Sequence, residues 1–287
     1  MSADFLNAEV LVANITDLVT LPEVAMRITQ MVNDPTASAE DIAREISNDA
    51  ALTARLLRVA NSPLFGTSGK ISSVSRAIAV IGLRQVRDLT VGITAIRAFD
   101  GIPSELVAME SFWRHSILCA VASGHIAACG AAGHGETPFV AGLLHDIGQL
   151  VIFSRVPELA RRALLMSVDS VEDRDLYWCE RQIMGLDHGA VGAALAKNWR
   201  LPQSLQACIK YHHEPERADS HQTEVAIVHI ANSVAMLAEI GSTDLRDADE
   251  ISPFALLTLG FDTSRLSEII RQTQESAADM QRLLVAA

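Results

Sequence analysis

The sequence predicts an all-α fold. Of its 287 residues, 49% are hydrophobic and 5% aromatic, and it holds 16 glycines and 9 prolines. Small and aliphatic side chains with few helix breakers favour helices. Apolar residues recur at helical spacing in most segments, and neither a series of alternating strands nor an internal repeat is recognisable. A chain of this length can bury one large core or two smaller ones.

Helices are predicted one after another in the N-terminal third. Pro22 opens an amphipathic helix that Asp34-Pro35 ends. Ser38 and Asp41 have the spacing of a capping box and start the next helix. The other helices of this part are expected around residues 52–59, 74–81 and 83–99, with a break at Gly82 and a loop over 65–70.

Asp100-Gly-Ile-Pro103 is the best candidate for a domain boundary, because Gly and Pro interrupt helices. We therefore divide the chain into residues 1–103, residues 104–240 and residues 241–287. The last segment is expected to form terminal helices that pack on the body or at a dimer contact.

The second part of the chain is also predicted to be helical. A long helix should follow the boundary and carry Phe112 to Ile126, and Gly130 to Thr137 should form a loop. Further helices are expected at 138–155, 156–168, 171–184, 188–199, 202–213, 222–240 and 264–285.

Composition favours a cytoplasmic protein. The four cysteines lie far apart with no Cys-x-x-Cys motif, which is typical of reduced thiols. The N-terminus lacks the basic and apolar blocks of a signal peptide, and no apolar run reaches the length of a membrane span. We therefore expect no membrane association. The formal net charge of −12 also disfavours nucleic-acid binding.

Residues 50–99 are basic within this acidic chain, with seven cations against the single acid Asp88. Arg84 and Arg87 are three residues apart and should share one helix face. They are candidate contacts for an acidic signalling partner or a nucleotide. The alternative is that these arginines are scattered or pair with the acidic C-terminal half.

Leu64 and Phe65, in the loop before residue 66, have two interpretations. They are either exposed anchors for a partner or core residues that fill the space between two helices.

The dipeptide His145-Asp146 is the strongest functional signal. It lies in an apolar stretch that is predicted to be helical, where a carboxylate must be paired, hydrogen-bonded or metal-bound. The dipeptide alone occurs by chance in many chains, but other histidines accompany it: His115, His188, His212 and His213. The remaining histidines, His125, His134, His221 and His229, are expected to be ordinary surface or core residues.

Two long stretches resemble the HD-related output domain (HDOD) family. One runs from Asp49 to Gly66 and continues over residues 71–83; the other includes residues 180–192, 199–202 and 211–215. The resemblance implies an N-terminal helical subdomain packed on an HD-type helical bundle. It also implies a bacterial signalling context in which the module is regulatory and catalysis is frequently lost.

The resemblance also implies a set of metal ligands. These are His115, the central pair His145 and Asp146, then His188, His212 and His213. In active HD phosphohydrolases such residues hold divalent metal, which lowers the pKa of a bound water and polarises a phosphate ester. Asp146 is the expected catalytic residue if the chain is active.

Three departures from the active pattern argue against catalysis. Asn232 stands at the closing position, where Asp is usual, and so brings no negative charge. Gln149 replaces a frequent Lys and cannot neutralise charge on a phosphoryl group. The Gly-Tyr-Pro segment of the cyclic-dinucleotide phosphodiesterases is missing after the paired histidines, where residues 214–220 read Glu-Pro-Glu-Arg-Ala-Asp-Ser.

The leading hypothesis is a regulatory module of bacterial signal transduction that acts through protein or ligand binding. The alternatives are a metal-dependent phosphohydrolase acting on a nucleotide or other phosphoester, and a sensor that binds such a ligand without cleaving it. If metal is bound, a His-rich set with few carboxylates favours Fe, Mn, Ni or Zn over Ca. The same residues could also persist as a hydrogen-bonded network without metal.

Overall fold

A computed structural model describes residues 6–13, 21–67, 69–99, 106–129, 138–168, 175–247 and 251–285. Within these ranges the regular elements are helices, and no strand occurs. The all-α prediction is confirmed. The predicted boundary at 100–103, the predicted loop at 130–137 and His134 lie outside the described residues.

The helices of the N-terminal part follow the predicted order. They are α1 (Ala8–Ala13), α2 (Glu23–Val32), α3 (Ala39–Ser47), α4 (Ala50–Ala60), α5 (Val74–Ile81) and α6 (Leu83–Ala98). The capping box is present, since the Ser38 hydroxyl accepts from the Asp41 backbone N–H while the Asp41 carboxylate accepts from the Ser38 backbone. Gly82 separates α5 from α6 with a φ of 93°, a value that glycine adopts readily. The six-residue helix α1 was not predicted.

The second part of the chain adds ten helices among the described residues. They are α7 (Met109–Cys129), α8 (Pro138–Leu144), α9 (Ile147–Arg155), α10 (Pro157–Val168), α11 (Leu176–Met184), α12 (His188–Asn198), α13 (Gln203–Tyr211), α14 (Gln222–Ile240), α15 (Pro253–Leu259) and α16 (Leu266–Leu284). Helix α15 was not predicted.

The predicted single helix over 138–155 is wrong at its centre. Helix α8 ends at Leu144 and α9 begins at Ile147, so His145 and Asp146 occupy a turn between them. Both helices are buried almost all round, and their apolar residues therefore continue through the turn without a change of period. Hydrophobic periodicity cannot detect a break of this kind.

The long helices α7 and α14 pack against each other at the centre of the second part. Helices α8 and α16 lie on α7, while α12 packs between α9 and α13. Helix α6 connects the two parts by packing on α8, where Gly92 approaches Leu143. These contacts bring the turn at 145–146 and the first residue of α12 into one region.

The two ends of the chain pack on distant helices. Helix α1 packs on α9 and α12, and the Leu6 backbone N–H donates to the Met184 carbonyl over 3.3 Å. Residues 6–13 therefore contact the second part, although the sequence division assigned them to the N-terminal subdomain. Helix α16 packs on α7, α14 and α4, so the C-terminal helix contacts both parts.

Arg84 and Arg87 do not share an exposed face, which corrects the prediction. Arg84 is exposed, but Arg87 is 7% exposed, and its guanidinium donates to Asp88 over 2.6 Å. Burial of Arg87 follows from the packing of α6 against α2, α4 and α5. A partner-binding role for Arg84 remains a prediction.

Leu64 and Phe65 pack inward, as the core-packing alternative proposed. The Phe65 ring lies edge-on to Phe139, with ring centroids 5.9 Å apart, and Leu64 lies against Gly124 of α7.

One described helix, α14, is long and apolar enough to cross a membrane. However, 72% of its apolar 18-residue stretch is buried inside the protein, as in the core helix of a globular protein. Cys119, Cys179 and Cys208 are buried free thiols, and Cys129 is partly buried.

Candidate metal centre

Asp146 lies at the centre of the metal ligands that were predicted from the sequence. Its Oδ2 is 3.3 Å from His145 Nε2 and 3.8 Å from His115 Nε2. Its Oδ1 is 3.2 Å from His188 Nε2 and 3.5 Å from His212 Nε2. Each carboxylate oxygen therefore faces a different pair of imidazoles.

The potential ligands form two clusters that share Asp146. The four-residue cluster consists of Asp146, His188, His212 and His213, and the three-residue cluster of His115, His145 and Asp146. Within each cluster the ligand atoms lie within 4.8 Å of one another. His188 Nε2 is 2.9 Å from His213 Nε2 and 3.3 Å from His212 Nε2. All six predicted ligands thus come together.

Separate elements supply these side chains. His115 lies on α7, His145 and Asp146 lie in the turn between α8 and α9, and His188 is the first residue of α12. His212 and His213 follow the end of α13. Because the six residues come from four parts of the chain, only tertiary packing can assemble the site.

Glycines allow α9 and α12 to approach closely. A Cβ at Gly148 would lie 2.0 Å from the His188 carbonyl oxygen and 2.5 Å from the Gly192 nitrogen. At Gly192 a Cβ would lie 2.7 Å from an Ile209 methyl and 3.1 Å from the Gly148 nitrogen. Any side chain here would push His188 away from Asp146.

Backbone carbonyls fix the tautomers of two histidines. His145 Nδ1 lies 2.8 Å from the Gly142 carbonyl, and His212 Nδ1 lies 2.8 Å from the Ile209 carbonyl. A carbonyl only accepts hydrogen bonds, so the proton of each ring is on Nδ1. In a neutral ring Nε2 then carries a lone pair, and in both cases it faces Asp146.

The Glu180 carboxylate fixes the tautomer of His188. Its Oε2 accepts from His188 Nδ1 and from the His188 backbone N–H, each over 2.7 Å. Glu180 is 1% exposed, so its carboxylate depends on contacts within the protein. Carboxylates in this position behind a ligating imidazole orient the ring and raise its basicity.

The buried Asp146 carboxylate is stabilised by positive charge beside it. Burial alone would raise the pKa of Asp146, but His145 and the imidazoles of His188 and His212 beside its oxygens hold that pKa well below its usual value. Burial lowers the pKa of His145, and Asp146 reverses this and raises it well above the usual range. Burial brings the pKa of His212 down to about 4.

A divalent cation would supply this positive charge. His145 Nε2 is buried and has no hydrogen-bond partner with acceptable geometry, so a proton there would not be satisfied. A cation between the Nε2 atoms and Asp146 would supply the charge and use the lone pairs together. One carboxylate among imidazoles suits a transition metal better than Ca²⁺.

The clusters are open to solvent on one side. A cleft of about 740 Å³ is lined by His115, Asp146, His188 and His213. Gln149 and Asn232, the two positions that depart from the active pattern, also line it. A small molecule could therefore reach a bound metal through this cleft.

Sequence reasoning missed four residues that support the ligands. Glu239 Oε2 lies 3.2 Å from His115 Nδ1. Tyr177 stacks on His213 with ring centroids 4.4 Å apart, and Arg181 lies over Tyr177, with its guanidinium carbon 5.0 Å from the ring centroid. Glu180 is the fourth. None of them belongs to a periodic pattern, and the one available signal for Glu180 was its place in the stretch preceding His188.

His229 is a structural histidine, as expected. Its Nδ1 donates to the His212 carbonyl over 2.7 Å, and its Nε2 accepts from the Ser252 backbone N–H over 2.9 Å. Both ring nitrogens are satisfied, and the residue holds the segment after α13 against the segment before α15. It supports the position of His212 without joining either cluster.

The comparison with protein families identifies the family to which this fold belongs. The family model described as HDOD domain matches residues 18–215, which is more than half of the chain. The chain belongs to the HDOD family. An uncharacterized protein of Treponema pallidum (strain Nichols) is 27% identical over 224 residues, which are 76% of this chain and 42% of that relative. The HDOD chain thus spans less than half the length of this curated relative.

Solved structures agree with the family assignment. An HDOD domain protein of unknown function from Geobacter sulfurreducens is 25% identical, with a TM-score of 0.73 over 97% of this chain and 98% of the other. A protein from Shewanella amazonensis SB2B, whose name proposes a phosphohydrolase, is 21% identical, with a TM-score of 0.73 over 96% and 98%. At that identity the second likeness establishes the fold alone.

Proposed function

We propose that this chain is a regulatory HDOD module of bacterial signalling built around a divalent transition-metal centre. The observation that carries the proposal is the convergence of Nε2 atoms on Asp146 with their Nδ1 atoms already committed to acceptors. His188, His212, His213 and Asp146 would hold one ion, and His115 and His145 would hold a second through the other oxygen of Asp146.

A bound metal would supply a Lewis acid at the base of the cleft. The chain's own residues orient and shield it. Glu180 fixes His188, and the Gly142 and Ile209 carbonyls fix His145 and His212. Gln149, Asn232 and Glu239 line the cleft beside Asp146, so a ligand that entered it would meet these side chains as well as the metal.

The charges in the cleft argue against turnover of a phosphoester. The described lining residues include Asp146, Asp175, Glu239 and Asp247. Among the described lining residues Arg246 is the one arginine or lysine, and Asp244 already engages its guanidinium over 2.5 to 3.1 Å. Gln149 adds a dipole but no charge. A phosphoryl group would therefore receive little positive charge from the protein itself.

The second candidate is a metal-dependent phosphohydrolase. It is favoured by the presence of Asp146, His188 and His213 in the lining of a cleft that is large enough for a nucleotide. In that case Asp146 and its imidazoles would position metal, while Gln149 would contact the phosphoryl oxygen as a hydrogen-bond donor.

Elemental analysis with a turnover assay distinguishes the two candidates. We expect at least one transition-metal ion per chain in protein prepared anaerobically, loss of that ion in Asp146→Ala, which removes the ligand that both clusters share, and no hydrolysis of cyclic dinucleotides or bis-p-nitrophenyl phosphate above the metal blank. A matched control is His221→Asn, which changes a histidine outside the clusters at a φ of 57° that Asn tolerates.

Two outcomes would change the proposal. If the wild-type chain takes up no Fe, Mn, Ni or Zn after reconstitution, the metal centre is rejected. If it hydrolyses a phosphoester at an enzymatic rate and Asp146→Ala abolishes that rate while His221→Asn does not, the phosphohydrolase replaces the regulatory module.

A further inference from the structure

His115 is held by two residues of α14. Its Nε2 lies 2.9 Å from Asn232 Oδ1, and its Nδ1 lies 3.2 Å from Glu239 Oε2. Asn232 and Glu239 are seven positions apart on one helix, so they lie on the same face about two turns apart. Because α7 packs along α14, this face contacts His115 at both ring nitrogens.

Glu239 determines which nitrogen of His115 is available to metal. Both ring nitrogens of His115 face an oxygen, but the Asn232 amide can turn its NH2 group toward Nε2, whereas the Glu239 carboxylate can only accept. Nδ1 therefore carries the ring proton toward Glu239, and the Nε2 lone pair faces the Asn232 amide and, at 3.8 Å, Asp146 Oδ2. Glu180 has the same relation to His188 in the four-residue cluster. Each cluster therefore contains one imidazole with a carboxylate behind it.

We propose that Glu239 is a positioning residue that compensates, through His115, for the negative charge that Asn232 does not bring to the three-residue cluster. The inference rests on the proposed metal centre and adds a residue to it that does not itself bind the ion. A carboxylate behind the imidazole is one ring farther from the ion than a direct ligand, so its attraction is weaker but has the same sign.

The location of Glu239 supports this role. Its side chain is 29% exposed and lines the cleft beside His115, Asn232 and Asp146. A carboxylate at this depth costs free energy to desolvate, which its contact with His115 offsets.

Metal titration of four proteins tests the inference: the wild type, Glu239→Gln, Asn232→Asp and the double variant. Glu239→Gln keeps the shape and removes the charge, so we expect the affinity of the weaker, three-residue cluster to fall about 10- to 100-fold. Affinity at the four-residue cluster should not change. Asn232→Asp should raise affinity at the three-residue cluster, and the double variant should return toward the wild type.

The matched control is Glu224→Gln in the first turn of the same helix, which removes an equal charge near His221 and far along α14 from His115. It should titrate like the wild type. If Glu239→Gln also titrates like the wild type while the wild type binds metal, the inference is wrong. If the wild type binds no metal at all, the proposed function itself fails.

A second readout needs no metal. In metal-free protein, ¹⁵N NMR of the imidazoles should show His115 as the Nδ1–H tautomer, and Glu239→Gln should shift it toward a mixture, because an amide can accept or donate. A purely structural role for Glu239 would leave this tautomer unchanged, and an unchanged tautomer would overturn the inference.

Discussion

At the residue scale, the ligands could be predicted and their supports could not. The five histidines named from the sequence lie around Asp146, which was also predicted, and all six could be named because they match an ordered motif. Glu180 and Glu239 act by contact with His188 and His115, at separations of 8 and 124 residues along the chain, and no motif encodes such a contact. Arg87 shows the converse, since its charge indicated a surface while packing buried it beside Asp88.

Glu180→Gln should weaken metal binding at the four-residue cluster. The substitution keeps an oxygen near His188 but removes the charge that two hydrogen bonds of 2.7 Å now satisfy. Loss of such a partner typically costs about 10- to 100-fold in metal affinity. Competition with a chromogenic chelator measures the change.

The control for Glu180→Gln is Glu268→Gln, which removes an equal charge from an exposed ion pair with Arg271. The control should bind metal as the wild type does. Equal affinity in Glu180→Gln and in the control would contradict the role given to Glu180.

His229 should make the protein less stable in mild acid. Burial lowers the pKa of His229 in the folded state, and its Nε2 must stay unprotonated to accept from Ser252. The unfolded state therefore binds more protons as the pH falls below the ordinary value of about 6.5, and stability drops until the pH passes the lower folded pKa. A tenfold difference in proton affinity between the folded and unfolded states corresponds to about 1.4 kcal/mol of stability.

The test compares urea unfolding of the metal-free wild type and His229→Gln between about pH 7.5 and about pH 4.5, a range that brackets the ordinary histidine pKa. Because glutamine does not titrate, the variant should lose less stability than the wild type over this interval, although it starts from a lower value. Parallel pH curves for the two proteins would rule out His229 as the source.

At the element scale, most helices could be predicted and the break that forms the site could not. Capping residues and Gly82 correctly marked α3 and the junction of α5 with α6. The turn at His145-Asp146 has apolar residues on both sides, so neither periodicity nor composition marks it. The candidate site lies where the local pattern misleads, at a turn next to the close contact of α9 with α12.

Gly148→Ala should disrupt the site by separating α9 from α12. The added Cβ would meet backbone atoms of His188 and Gly192 at 2.0 and 2.5 Å, and backbone cannot move aside as a side chain can. Overpacking of this kind costs about 1–3 kcal/mol or more. We expect a lower urea midpoint and weaker metal binding at the four-residue cluster.

Gly124→Ala provides the comparison for Gly148→Ala. It too places a methyl group on a helix, but the nearest atoms belong to the flexible Leu64 side chain at 2.7 to 3.3 Å. Its effect on metal binding should be small. A Gly148→Ala protein as stable and as metal-competent as Gly124→Ala would show that α9 and α12 are not held as described.

At the scale of the whole molecule, fold class followed from the sequence, while the packing of the chain ends did not. Residues 18–215 match the HDOD model, yet α1 begins before this range and packs on α9 and α12. Helix α16 lies beyond it and contacts α4, α7 and α14. Sequence division treats each segment separately, whereas α16 as a whole packs on helices of both parts.

The most direct test of the metal centre is anomalous X-ray diffraction from crystals of the wild-type chain grown with Mn, Fe, Ni or Zn in excess. We predict a peak at that metal's absorption edge about 2.0–2.3 Å from Asp146 Oδ1 and from the Nε2 atoms of His188 and His212. Ordered side chains at 146, 188 and 212 without an anomalous peak between them would contradict the account.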